Sequence, residues 1–150
     1  MAFLYVVAAQ HWRVGRIEAA VRYADAAQLV IGSGRHDVPF GFAGLLGAAY
    51  VDIGQPERWA ESCRAQLATG RDTHTLTRAC LVISLALAGS DKEARAAANG
   101  LIEAAEAIRN PHVLSAALLA CGIALRAADP AAALDVLRRG LVISHDSGNR

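Results

Sequence analysis

Residues that favour β-sheet are scarce in this chain. Aromatic side chains fill 5% of its 150 positions, and β-branched residues are sparse beside alanine, so the composition predicts an all-α fold. Lysine is almost missing, with Lys92 the sole one, and the formal net charge is +1 with no basic run. That leaves no electrostatic footprint for nucleic acid and no polybasic patch for a membrane. The Ala- and Arg-rich skew looks like that of a GC-rich bacterial genome.

The three cysteines, Cys63, Cys80 and Cys121, are far apart and form no CxxC pair. Scattered thiols with apolar neighbours fit a reducing cytosol rather than a disulfide framework. The start, MAFLYVVAAQHWRVG, is apolar but has no basic leader and no clear cleavage site. The most apolar run, Val113 to Leu125, falls short of the roughly 20 residues a membrane span needs. A soluble, cytoplasmic protein is expected.

What is present is a repeated helix pair. At Ala128-Asp129-Pro130 the chain breaks, and the next helix opens with proline in its first turn, where the missing N–H costs nothing. The same unit recurs upstream. The first unit pairs about 2–13 with 16–31, the second 39–53 with 57–69, the third 75–88 with 92–109 and the fourth 112–127 with 130–144. Breaks inside the units fall at Gly15, Gly54, Gly89 and Ala128, a period of about 38 residues, within the range of tetratricopeptide and HEAT-type repeats. Five residues after each inner break stand Ala20, Trp59, Ala94 and Ala133; seven residues before it stand Ala8, Gly47, Val82 and Cys121. Small residues at those two places let paired helices approach closely, with Trp59 and Val82 the departures. The pattern predicts a right-handed α-α superhelix of four antiparallel hairpins, a single helical-repeat domain over 1–150 and a piece of a longer solenoid. In the third unit Asp91 is the expected N-cap.

Few residues carry chemistry. His36, His74 and His112 lie one period apart near the starts of first helices. Stacked helices stand about 8–10 Å apart, and a zinc ion needs its nitrogens at about 2 Å. One ion cannot span three rungs, so these are read as polar residues that satisfy orphan N–H groups. Gly32-Ser33-Gly34 lacks the pattern of a phosphate loop. No base is placed beside a cysteine, and no HExxH motif occurs. Catalytic, metal and cofactor sites are therefore expected to be absent. Possible partner or ligand contacts are Arg78 and Arg126, which fall on otherwise apolar first helices, and Trp12 and Trp59 beside inner turns. A structural, snorkelling role competes for both arginines.

The stretch ADPAAALDVLRRGL followed by SGNR resembles the degenerate tetratricopeptide-like repeats of the large LuxR-type, AAA-like ATPase-containing transcriptional regulators of actinobacteria. The resemblance implies a sensing or interaction segment that binds a protein, a peptide or an inducer. Neither a Walker motif nor a recognition-helix segment appears, so no ATPase or DNA-binding residue carries over. A small-ligand sensor with a pocket between the apolar first helices, or a stand-alone interaction scaffold, is the alternative. The last unit carries Leu118, Leu119, Leu125, Leu137, Leu141 and Ile143, more than one neighbour would cover, and self-association through an open end is expected.

Overall fold

The computed structural model describes residues 2–32, 47, 49–68 and 75–148, and all of its regular structure is helical. The helices are α1 (Ala2–Arg13), α2 (Ile17–Gly32), α3 (Pro56–Ala68), α4 (Thr75–Leu87), α5 (Asp91–Ala98), α6 (Leu101–Ile108), α7 (Pro111–Leu125) and α8 (Pro130–Asp146). Residues 49–52 are helical too and lead into α3. Among the described residues no helix is long and apolar enough to cross a membrane.

Three inner turns close in the same way. The N–H of Arg16 donates to the His11 carbonyl (2.8 Å), that of Gln55 to Tyr50 (2.9 Å) and that of Ser90 to Leu85 (2.9 Å). Each bond spans a glycine, Gly15, Gly54 or Gly89, with φ between +72° and +78°. This is the six-to-one closure of a Schellman motif, which needs a left-handed residue and so selects glycine. The fourth turn has no glycine. There Asp129 caps α8 by accepting from the Ala132 N–H (3.0 Å), and Pro130 opens the helix.

The two marked positions behave alike in all four units. Ala8, Ala20, Gly47, Trp59, Val82, Ala94, Cys121 and Ala133 are all buried. In the second unit the volumes are exchanged: Trp59 occupies the place of an alanine, and a Cβ added to Gly47 would fall inside its indole ring. Further close approaches occur between α7 and α8, where a Cβ on Gly122 would meet the Leu137 side chain and one on Gly140 the Leu118 Cβ.

The core forms two clusters that share α4. One joins Ala24, Ala27, Tyr50, Trp59 and Cys63 to Cys80. The other joins Val82, Leu85 and Ala86 to Ala94, Leu101, Ala105 and the Val113, Ala117, Ala120, Ala124 stripe of α7.

Three expectations need correction, and one finding was not foreseen. The helix predicted over 92–109 is two helices: α5 ends at Ala98, and Gly100 (φ 70°) starts a new direction for α6. Asn-Gly is a turn signal, and here it breaks the helix. The N-cap of α5 is Ser90, with no side-chain cap bond, and Asp91 is the first helical residue, where its charge suits the helix dipole. Leu118 is fully buried between α7 and α8, whereas Leu119 and Leu141 are exposed and Leu125, Leu137 and Ile143 are half-buried. The fourth unit also abandons the burial pattern of the third. Leu76, Thr77 and Cys80 of α4 are buried, but their counterparts on α7, Ser115, Ala116 and Leu119, are half-buried or exposed.

The exchange between Gly47 and Trp59 is testable by a double-mutant cycle. Gly47→Ala should lower stability by about 1–3 kcal/mol through overpacking. In a Trp59→Leu background the same change should be near neutral, since alanine is the better helix former. Urea denaturation of the four proteins measures this; equal costs in both backgrounds would mean the two residues do not share one space.

Candidate functional site

Both arginines singled out on first helices spend their guanidinium groups on backbone carbonyls. Arg78 Nη2 donates to the Asn99 carbonyl (3.0 Å) and the Ala97 carbonyl (3.5 Å). Those oxygens lie at the end of α5, where the Asn99-Gly100 break leaves carbonyls without helical partners. Arg126 Nη2 donates to the Ala86 carbonyl (2.9 Å) at the end of α4. Each guanidinium thus sits at the negative pole of a helix that belongs to a neighbouring element.

The tryptophans also occupy structural seats. Trp12, half-buried, donates from Nε1 to Asp52 Oδ2 (2.6 Å) and ties the first unit to the second. Trp59 is buried over Gly47. The four residues therefore lie at separate junctions and are not brought together.

His112 is the second residue of α7. Its backbone N–H is capped by the Asn110 side chain (2.9 Å), which makes Asn110, not the histidine, the group that satisfies this helix start. His36, His74 and the Ser33-Gly34 part of the glycine stretch lie outside the described residues. Among the described residues no three His, Cys, Asp or Glu side chains gather as a metal could use.

Two polar features escaped the sequence reading. Asp25 on α2 accepts from Tyr50 Oη (2.8 Å) and from Arg58 Nη2 (2.5 Å), and Arg58 also lies over the Tyr50 ring (4.7 Å) and bonds Gln55 (3.1 Å). The hydrogen bond to Asp25 holds the Arg58 pKa above its usual value against the opposing effect of burial. Gln28 bonds Ser62 alongside, and a cleft of about 450 Å³ opens there between α2 and α3. Asp25 stands ten residues after its inner break and Arg58 four after the next. The pair Arg64–Glu93 (2.6 Å) repeats that spacing one unit on with the charges reversed. Only the repeat alignment, applied to charges, reveals this ladder.

The second feature is a cleft of about 320 Å³ at the α5–α6 break, lined by Arg95, Asn99, Gly100, Glu103 and Cys121 among others. Burial pushes the Cys121 thiol up to about 11, with Glu103 adding to the shift and Arg78 opposing it. At neutral pH this is a protonated, weakly reactive thiol, unsuited to nucleophilic work. An apolar groove of about 390 Å³ also runs between α7 and α8, lined by Leu119, Leu137 and Leu141 above Ala116 and Gly140.

The chain matches no protein-family model, no curated protein and no solved structure.

Arg78→Met removes a donor while keeping the apolar stem. It should cost about 0.5–1.5 kcal/mol, the net contribution of a hydrogen bond to a carbonyl that solvent can partly reach, and should raise amide exchange in α5 and α6 before the rest of the chain. An unchanged melting temperature and exchange pattern would mean the carbonyls find other partners. For Cys121 the folded pKa lies above the unfolded one, so its contribution is complete below about pH 9 and is lost as pH rises toward 11. Stability should therefore fall through that window by up to about 2–3 kcal/mol, and Cys121→Ala should flatten the fall. Denaturant titrations at several alkaline pH values check both.

Proposed function

We propose that the chain is a non-catalytic interaction and sensing module built from tetratricopeptide-like repeats, four hairpins in a superhelix, and that it serves a LuxR-type, ATPase-containing bacterial transcriptional regulator. Its partner is a protein or a peptide. The observation that carries the repeat half of this reading is the recurrence of one turn closure at Gly15, Gly54 and Gly89, joined to eight buried residues at two fixed distances from the breaks. A chain that repeats one packing unit spends its sequence on surface rather than on a single converging site.

The regulator half rests on the resemblance of the last unit. Of the four contacts suggested by the sequence, Arg126 is exposed and Trp12 and Arg78 are half-buried; Arg78 gives its guanidinium to two carbonyls, so Trp12 and Arg126 are the ones assigned to a partner. Arg78 and Arg126, both bonded to carbonyls, give no support to an inducer pocket centred on a guanidinium.

Two measurements test the proposal. The surrounding reading frame should encode a Walker motif on one side and a helix-turn-helix on the other; a frame with neither defeats the regulator assignment. Panning the chain against a displayed peptide library should enrich a consensus whose binding weakens roughly tenfold in Arg126→Glu or Trp12→Ala. Enrichment no better than a scrambled pool would defeat the interaction assignment.

A further inference from the structure

The cleft of about 450 Å³ between α2 and α3 has a floor whose hydrogen bonds consume donors. Tyr50 is buried and its hydroxyl donates to Asp25 Oδ1. Arg58 donates to the same oxygen and to Gln55 while lying over the Tyr50 ring. Beside them Gln28 and Gln66 both donate to the hydroxyl oxygen of Ser62, which is 7% exposed. What these bonds leave over, among the described residues, is mainly acceptors. Asp25 Oδ2 accepts nothing, the Gln28 carbonyl oxygen accepts nothing, and Glu61 forms no hydrogen bond or ion pair.

We propose that this cleft takes the side chain of an arginine carried by a partner peptide, with its guanidinium on the Asp25, Gln28 and Glu61 oxygens. Charge is the first argument. Two carboxylates, Asp25 and Glu61, line the cleft against one cation, Arg58. Asp25 already answers Arg58, so a carboxylate is in excess. Of the arginines one turn away on the same helices, Arg64 is paired with Glu93 and Arg22 does not line the cleft.

Shape is the second argument. The open acceptors stand on both helices, Asp25 and Gln28 on α2 and Glu61 on α3. A planar guanidinium with five N–H donors can reach both sides, which a compact ammonium does less well. Leu29, 79% exposed, and Ala65 line the same cleft and offer apolar surface to a methylene stem. The cleft is also open, with the Asp25 and Arg58 side chains 41% and 37% exposed. A free small molecule needs more enclosure than that, whereas a side chain is held by the peptide that carries it. The peptide source of the cation rests on the interaction reading above; the preference for a guanidinium does not.

Titration of the whole chain with a blocked pentapeptide carrying one central arginine, followed by amide chemical shifts, tests this. Shifts should concentrate in α2 and α3, with a dissociation constant on the order of a millimolar. The same peptide with neutral citrulline in place of arginine should bind roughly tenfold more weakly, and so should the arginine peptide to Glu61→Gln. Ala65→Trp should fill the cleft and abolish binding; it decides the matter should Glu61→Gln fail to fold. Glu57→Gln, an exposed change on α3 outside the cleft, should leave binding unchanged. Equal binding of the citrulline peptide overturns the proposal. So does binding indifferent to Glu61→Gln and Ala65→Trp, or weakened equally by Glu57→Gln. Free butylguanidine bound as tightly as the peptide would make this a small-cation site and overturn the peptide source. A panned peptide consensus without arginine would overturn the proposal and leave the interaction reading standing.

Discussion

Two helices joined by a short turn can pack along their length only if the side chains at their crossing fit into a small space. In this chain that constraint recurs four times, at positions seven before and five after each inner break. Three of the units meet it with small residues or a valine, and one meets it with Gly47 beneath Trp59. The second unit shows that the conserved quantity is volume and not residue type. A glycine on one helix offsets an indole on the other, as expected where interiors are packed to the density of organic crystals. Everything else depends on this spacing, because α4 can be shared by both core clusters only if the pairs on either side stay thin.

The parts of the fold that were legible in the sequence are those governed by backbone conformation. A residue with φ near +70° must be glycine at little cost, so Gly15, Gly54 and Gly89 mark the turns directly. Pro111 and Pro130 mark helix starts for a comparable reason. What the sequence concealed was decided by tertiary competition. The run from Lys92 to Arg109 has helical periodicity throughout, yet the chain breaks at Asn99-Gly100, and Arg78 reaches across from α4 to satisfy the carbonyls released there. Such a break is stabilised by a side chain twenty-one residues away, which no local window contains.

The arginines illustrate why a candidate site is harder to read than a fold. A cation on an apolar helix signals that something nearby accepts hydrogen bonds, but the sequence does not say whether that acceptor is a ligand or the backbone. For Arg78 and Arg126 the observed acceptors are the ends of α5 and α4. Conversely, Asp25 and Arg58 carry no motif in the sequence, yet they join Tyr50 and Gln55 in a bonded group between α2 and α3. Charge patterns became informative only once aligned by repeat unit, where Asp25–Arg58 and Arg64–Glu93 occupy equivalent places with opposite sign.

The same alignment locates where regular stacking ends. Between the first three units, polar and ionic links run from one second helix to the next: Gln28 to Ser62, Asp25 to Arg58, Arg64 to Glu93. The equivalent of Asp25 and Arg64 in the third unit is Asn99, the residue at the break, and the counterpart of Arg58 and Glu93 in the fourth is Ala132. With no charge on either side, the ladder has no rung there. Arg139 instead reaches Glu106 on the redirected α6. In place of the buried α4 stripe, α7 meets the preceding helices with Val113, Ala117, Ala120 and Ala124. A helix that turns one stripe inward must turn another outward, and on α7 the outward one carries Leu119. The break at Asn99-Gly100, the missing rung and the open groove are thus consequences of one local change in the third unit.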